Sequence, residues 1–344
     1  MGKRKMALLA AISAVLGTLA TSIHAEASQT LDTIKKRGVL ICGVSTGLAG
    51  FGMPDSQGNY AGLDIDTCRQ LAAAIFADTK KVKYVPLSAQ QRFTALQSGE
   101  VDLLSRNTTW SLAREAQLGL NFAPPTYYDG QAFMVPKKLG VKSIKDLNGA
   151  TICIQPGTLT ELNTADYFRA HQMTFKPVVI EKLEEAENAF FSGRCDAYTD
   201  DSSALAAARI AKAPKPDDYL ILPEIISKEP LAPAVRHGDD DWFNIVRWVV
   251  FAAIEAEEKG VTSQNIDDQL RSEDPAIKRL LGVTPGMGQA LGLDEKWAYN
   301  LIKQVGNYGE VFERNVGKSS PLNLDRGLNE LWTRGGLMYA MPVR

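Results

Sequence analysis

Residues 39–44 (VLICGV) form a short apolar run rich in β-formers that ends before Gly47, and residues 64–76 (DIDTCRQLAAAIF) then place apolar side chains at helical spacing. That is a strand, a loop and a helix. The rhythm continues outward: a strand over 83–87, a helix over 89–97 (AQQRFTALQ) closed by Gly99, and a strand over 101–105 (VDLLS). Strands alternating with helices at this interval predict a parallel sheet in an α/β fold. The same alternation restarts at 151–155 (TICIQ), with a helix over 159–171, a strand over 176–180, a helix over 183–192 and a strand over 195–199. Two similar units are laid end to end, too different in sequence to be called a repeat.

Two extended segments join these units. Residues 127–136 (YYDGQAFMVP) read as one crossing and 222–235 (LPEIISKEPLAPAV) as a second, so the chain leaves the first unit and returns to it. From Asp239 onward the pattern is mostly helical, over 242–259, 263–281, 296–305 and 324–334, and this remainder is expected to dock on the first unit.

Composition agrees with two globular domains. The chain has 344 residues, 45% of them hydrophobic, against roughly 150 residues per domain. With 38 Lys and Arg against 40 Asp and Glu there is no basic excess for phosphates, so a nucleic-acid partner is not expected. Ordinary hydrophobicity without long single-sign charge blocks excludes a disordered chain.

The first 27 residues stand apart. Lys3-Arg4-Lys5 is a basic start, 6–23 is apolar, and Ala25-Glu26-Ala27 has the A-x-A form of a cleavage site. Residues 1–27 are therefore expected to be a cleaved signal peptide rather than a membrane anchor, and no Cys follows to carry a lipid. Export makes an even number of cysteines read as disulfides. Of the three pairings open to Cys42, Cys68, Cys153 and Cys195, joining 42 to 68 and 153 to 195 keeps each bridge within one unit. Buried free thiols are the alternative; zinc is disfavoured, since there is no C-x-x-C and no nearby His.

Several motifs carry a resemblance. Gly62-Leu63-Asp64-Ile65-Asp66 runs into Leu71-Ala72, with Thr67 where an aliphatic is usual. In order follow Phe93-Thr94-Ala95-Leu96-Gln97-Ser98-Gly99, Trp110-Ser111-Leu112-Ala113-Arg114-Glu115, Gln155-Pro156-Gly157-Thr158 and Asp196-Ala197-Tyr198-Thr199-Asp200-Asp201. On these the chain resembles the bacterial extracellular solute-binding proteins of family 3, the receptors of polar amino-acid ABC importers, and within them the longer general L-amino-acid-binding group. The resemblance implies an α/β, two-lobed periplasmic-binding-protein fold of type II with two hinge-crossing segments and a helical C-terminal extension on lobe one. Lobe one would comprise 28–128 plus 229–344, and lobe two 129–228. The acids Asp64 and Asp66 are expected to cap a helix and offset its dipole rather than touch ligand.

It also implies a site. Holding a zwitterion out of water needs a cation with N–H donors for the carboxylate and an anion with acceptors for the ammonium. By resemblance Arg114 clamps the carboxylate with its bidentate fork, helped by backbone and hydroxyl groups of Asn107 and Thr109. Across the cleft Thr158, after Gly157, offers its N–H and hydroxyl at a helix start. Asp201 is preferred over Asp200 for the ammonium, one of the pair being free to cap the 202–210 helix. Ser45 and Thr46 leave one wall neutral, Ala89 stands where relatives place a stacking aromatic, and Gln90 becomes a candidate polar contact. A roomier pocket and broad specificity follow. Residues 261–293 look inserted, as in the longer group.

The function so implied is capture of L-amino acids in the periplasm, as a monomer, by closure of two lobes that an inner-membrane ABC permease then reads, with no cofactor and no metal. An exported enzyme on the same fold, such as a cyclohexadienyl dehydratase-like enzyme, is the alternative, and a receptor-docking sensor is a third. The enzyme needs an acid/base set, and after residue 27 only His171 and His237 remain, both read as surface residues; no nucleophile elbow or metal-ligand spacing occurs.

Overall fold

A computed structural model describes residues 28–344; the expected signal peptide at 1–27 lies outside the described residues. The opening alternation folds as read: strand Leu40–Ser45, helix Leu63–Phe76, strand Val82–Leu87, helix Gln91–Ser98 and strand Leu103–Leu104. Leu40–Ser45 pairs in parallel with both later strands, Ser45 meeting Leu87 and Cys42 meeting Leu103. The sheet is nevertheless mixed, not wholly parallel. The chain comes back from its second crossing in the opposite sense, so Ala234–Arg236 enters antiparallel between Leu103–Leu104 and Leu120–Phe122.

The second lobe repeats this arrangement. Its five strands lie in the order Lys176–Val179, Thr151–Ile154, Ala197–Asp201, Gln131–Pro136, Tyr219–Ile221, and the strand that leaves the hinge, Gln131–Pro136, is antiparallel to both neighbours. The strand expected over 195–199 instead begins at Ala197 and ends at Asp201, which carries both aspartates to its carboxyl end. Between the lobes Tyr127–Asp129 and Glu229–Leu231 pair antiparallel, with Asp129 opposite Glu229.

The C-terminal part packs on lobe one. Helix Asp240–Glu258 buries Trp242, whose indole donates to the Asp102 carbonyl at 3.1 Å, and Trp297–Val305 packs on Leu63–Phe76, where Gln70 donates to the Gly306 carbonyl at 3.0 Å. Two expected helices differ. Residues 263–281 form two short helices, Ile266–Gln269 and Pro275–Leu280, because Asp274 caps a new start and Pro275 cannot continue an old one. Residues 324–334 form only the single turns Gly327–Asn329 and Trp332–Arg334. Conversely, Asn307 and Glu310 make a reciprocal capping box that starts helix Tyr308–Asn315. The disulfides join Cys42 to Cys68 and Cys153 to Cys195, each within one sheet unit.

Candidate functional site

Both central strands point their carboxyl ends at the same gap, where an α/β sheet reverses its winding and leaves a crevice. In lobe one the gap lies beyond Leu40–Ser45 and Leu103–Leu104, in lobe two beyond Thr151–Ile154 and Ala197–Asp201. A cavity there is lined from both lobes, and Ser45, Asn107, Thr109, Arg114, Thr158, Asp200 and Asp201 all reach it. Gln90 and Gly157 do not. They meet at its edge, where Gly157, with φ of 75°, leaves room that a side chain would lack: an added Cβ would stand 3.0 Å from the Gln90 Cγ. The expected polar contact from Gln90 is thus a contact between lobes.

Arg114 sits in the first turn of helix Leu112–Leu118, started by Ser111 as N-cap. Its guanidinium is buried, 5.1 Å from the centre of the Phe93 ring, with one Nη donating to the Thr109 carbonyl at 2.8 Å. Burial pulls its pKa down to about 10, against the opposing pull of Glu229 and Asp201, so it stays charged at neutral pH. The Thr109 hydroxyl donates to Glu229 at 2.5 Å and keeps a lone pair for an ammonium; Glu229 also accepts from Asn163 at 2.9 Å and from Ser227 at 2.5 Å.

The expectations for Asn107 and Thr158 need correction. The Asn107 N–H donates to the Asp64 carboxylate at 2.9 Å, and it is the buried Asn107 Oδ1 that lacks a partner. Asp64 is therefore a support under the pocket loop rather than a cap, and burial raises its pKa to about 7. Asp66 binds Arg314 and Asn315 of the C-terminal extension. The Thr158 hydroxyl caps helix Leu159–Ala170 by accepting from the Glu161 N–H at 3.1 Å, and it donates to the Gln155 carbonyl at 2.8 Å. What faces the cavity is the helix start itself, whose first N–H groups have no partner within the helix.

The two aspartates at the end of Ala197–Asp201 differ in kind. Asp200 is held from within: it accepts from the Tyr198 hydroxyl at 2.8 Å and the Asp201 N–H at 2.9 Å. Asp201 occupies the N-cap position of helix Ser202–Lys212, yet its side chain makes no capping bond, because Asp129 takes the Ser203 N–H and hydroxyl instead. Burial, with Asp129, Asp200 and Glu229 adding repulsion, lifts Asp201 well above the carboxylate range. A carboxyl so placed lacks a cation.

Sequence reasoning missed Arg92, Arg106, Gln155 and Glu229, all of which line the cavity. Arg92 had a readable signal: it precedes Ala95 and Leu96 by three and four residues, which puts a charge on the apolar stripe of helix Gln91–Ser98. Arg106, which donates to the Leu87 carbonyl at 2.9 Å, follows directly on a strand end. Glu229 had no signal beyond its place in a crossing. One turn past the cavity-lining Leu183, Glu187 is also buried, accepts no hydrogen bond from the described residues, and is pushed up to about 7, burial outweighing the opposing Lys212. His171 and His237 are exposed, away from the cavity. Among the described residues no group of three or more His, Cys, Asp or Glu is arranged to hold a metal.

The model of the bacterial extracellular solute-binding proteins, family 3, matches residues 40–265. The chain is 55% identical, over 97% of its length and 98% of the relative's, to the general L-amino acid-binding periplasmic protein of Rhizobium johnstonii. It is 52% identical, over 96% and 99%, to a glutamate/glutamine/aspartate/asparagine-binding protein of Rhodobacter capsulatus. A solved periplasmic binding protein from Brucella ovis with glutathione bound matches with a TM-score of 0.90 at 55% identity, covering 92% of this chain and 99% of that one. Full-length identity at this level, on a fold whose two lobes close around a charged cavity, makes the chain a member of the bacterial extracellular solute-binding proteins of family 3.

Proposed function

We propose that this protein captures L-amino acids in the periplasm and hands them to an inner-membrane ABC permease. The observation that carries the reading is the split of charge across one cavity: the Arg114 guanidinium on lobe one faces the unbonded Asp201 carboxyl on lobe two, with the start of helix Leu159–Ala170 beside them. An α-carboxylate satisfies the first and the helix N–H groups. An α-ammonium satisfies the second, with the Thr109 hydroxyl and Asn107 Oδ1 as further acceptors.

Lobe one is taken as 28–128 plus 229–344 and lobe two as 129–228, rotating about the paired crossings. Residues 1–27 act as the export signal, and the receptor works as a monomer, since one chain supplies both halves of the cage. The side-chain end of the cavity, with Ser45, Leu48 and Ala89 and no aromatic platform, supports acceptance of several polar amino acids. Charge-assisted contacts of this density support micromolar affinity or tighter, about −8 kcal/mol or better. Calorimetry on protein unfolded and refolded to strip bound ligand tests this, with L-Glu, L-Gln, L-Asp, L-Arg, L-Leu and L-Ala against D-Glu, a sugar and prephenate. Binding of several L-amino acids without turnover is expected; silence toward all of them, or conversion of prephenate, contradicts it.

A further inference from the structure

The residues that line the cavity end at Glu229, yet the C-terminal extension holds the first crossing at three points. Tyr128 stands opposite Pro230 in the paired crossings. Proline has no N–H to give, and the Pro230 carbonyl accepts instead from the Trp110 N–H at 2.8 Å, which leaves the Tyr128 N–H and carbonyl facing out of the pair. The Asn329 side chain takes both: its Oδ1 accepts from the Tyr128 N–H at 2.6 Å and its Nδ2 donates to the Tyr128 carbonyl at 3.1 Å. A carboxamide carries donor and acceptor side by side, so one buried side chain serves here as a third strand would. Asn329 is itself fixed, because the Arg326 Nε donates to its carbonyl at 2.9 Å while both Arg326 Nη donate to Glu257, on helix Asp240–Glu258, at 3.1 Å. The Tyr308 hydroxyl donates to the Thr126 carbonyl at 2.9 Å, and the Tyr127 ring stacks on Phe312 with 6.0 Å between centres. One residue further on, the attachments change sides. Asp129 accepts from the N–H and hydroxyl of Ser203, and the Gly130 carbonyl accepts from the Ser202 N–H at 2.9 Å, both on helix Ser202–Lys212 of lobe two.

We infer that Asn329 is a positioning residue for lobe closure: by fixing Tyr128 to lobe one it confines bending of the first crossing to the link between Tyr128 and Asp129, and thereby makes closing on a ligand easier. The inference rests on the amino-acid reading above for its ligands, but not for the motion itself. With the clasp in place, Tyr128 keeps one backbone conformation whether the lobes are apart or together. Without it, Tyr128 samples others while the lobes are apart, and closing must order it again. Asn329 lies outside the cavity, so this penalty is the same for every ligand. That separates it from a residue of the cleft, whose loss changes affinities unequally.

The test compares refolded wild-type protein with Asn329→Ala and Asn329→Asp by calorimetry against L-Glu, L-Gln and L-Ala, by small-angle X-ray scattering without and with ligand, and by denaturant unfolding. Asn329→Ala is expected to weaken every L-amino acid that the wild type binds by one common factor of roughly 10. It should also enlarge the radius of gyration of the ligand-free protein while leaving that of the saturated complex at the wild-type value. Asn329→Asp keeps an acceptor for the Tyr128 N–H but sets a carboxylate oxygen against the carbonyl, and should show the same uniform loss. A lower unfolding midpoint with wild-type affinities and a wild-type ligand-free radius assigns Asn329 to stability alone and overturns the inference, as does a loss that differs between ligands. Should Asn329→Ala fail to fold, Asn329→Asp decides on the same two readouts. A wild type silent to every amino acid removes the amino-acid reading, and the ligand-free radius then decides this inference: larger in the variants supports it, equal to wild type overturns it.

Discussion

Lobe one and lobe two face the cavity from equivalent places, the carboxyl ends of their central strands, but with opposite charge. Lobe one supplies Arg92, Arg106 and Arg114; lobe two supplies Asp200, Asp201 and the start of helix Leu159–Ala170. The two sets influence one another's protonation across the gap without forming an ion pair. A fold that wanted only to close would bring such groups into contact. Holding them apart leaves room for a molecule with its own opposite ends, whose charges complete both faces at once.

The contrast can be broken most severely from the cationic side. Arg114→Ala removes the fork and leaves the ligand carboxylate without its cation, so L-amino-acid affinity should fall by about 3–5 kcal/mol, read by calorimetry. From the anionic side the effect should be somewhat smaller and unequal between neighbours. Asp201→Asn should cost about 2–3 kcal/mol of binding, whereas Asp200→Asn, whose carboxylate already serves Tyr198 and the Asp201 N–H, should cost clearly less. Equal losses would mean that the pair acts as one diffuse charge rather than one ligand and one support.

Much of this architecture can be read from sequence, and the part that can differs from the part that cannot by range. The switch from the apolar run at 39–44 to the helical spacing of 64–76 is local, and so is its return at 151–155; both lobes follow from it. Arg114 and Asp201 become visible through short motifs, since nothing in a helix start or a strand end alone distinguishes a clamp from a solvated side chain. What escaped depends on contacts distant in sequence. Asp64, 43 residues earlier, accepts the Asn107 N–H and so holds the pocket loop, while the buried Asn107 Oδ1 has no partner. Asp201 is free because Asp129, from the hinge, caps its helix. The break at Asp274-Pro275 is a local signal that the apolar periodicity over 263–281 outweighs, whereas the capping box of Asn307 and Glu310 falls where no helix is read.

Glu187 sharpens the comparison from a different direction, because it is an acid of lobe two outside the cage. Its carboxyl is pushed up to about 7 in the folded protein against an ordinary 4.5. The folded state therefore holds a proton that the unfolded state has lost between about pH 4.5 and 7, and stability falls as pH rises through that window. Glu187→Gln should be more stable than wild type by about 3 kcal/mol above pH 7, with the gap closing below pH 4.5, followed by denaturant unfolding across pH. A constant gap would locate the effect in packing instead. The smallest effect is local to the second lobe: Thr158→Ala removes the cap of helix Leu159–Ala170 and should lower stability by about 1 kcal/mol, seen as a shift of the unfolding midpoint.

The most direct measurement compares L-Glu with two relatives that each lack one charge of the head group, N-acetyl-L-glutamate without the ammonium and the α-amide of L-glutamate without the α-carboxylate, all titrated into refolded protein. A cavity whose lobes divide the head group between Arg114 and Asp201 binds L-Glu and rejects both derivatives by at least roughly 100-fold. Binding of either derivative as tightly as L-Glu would contradict that division.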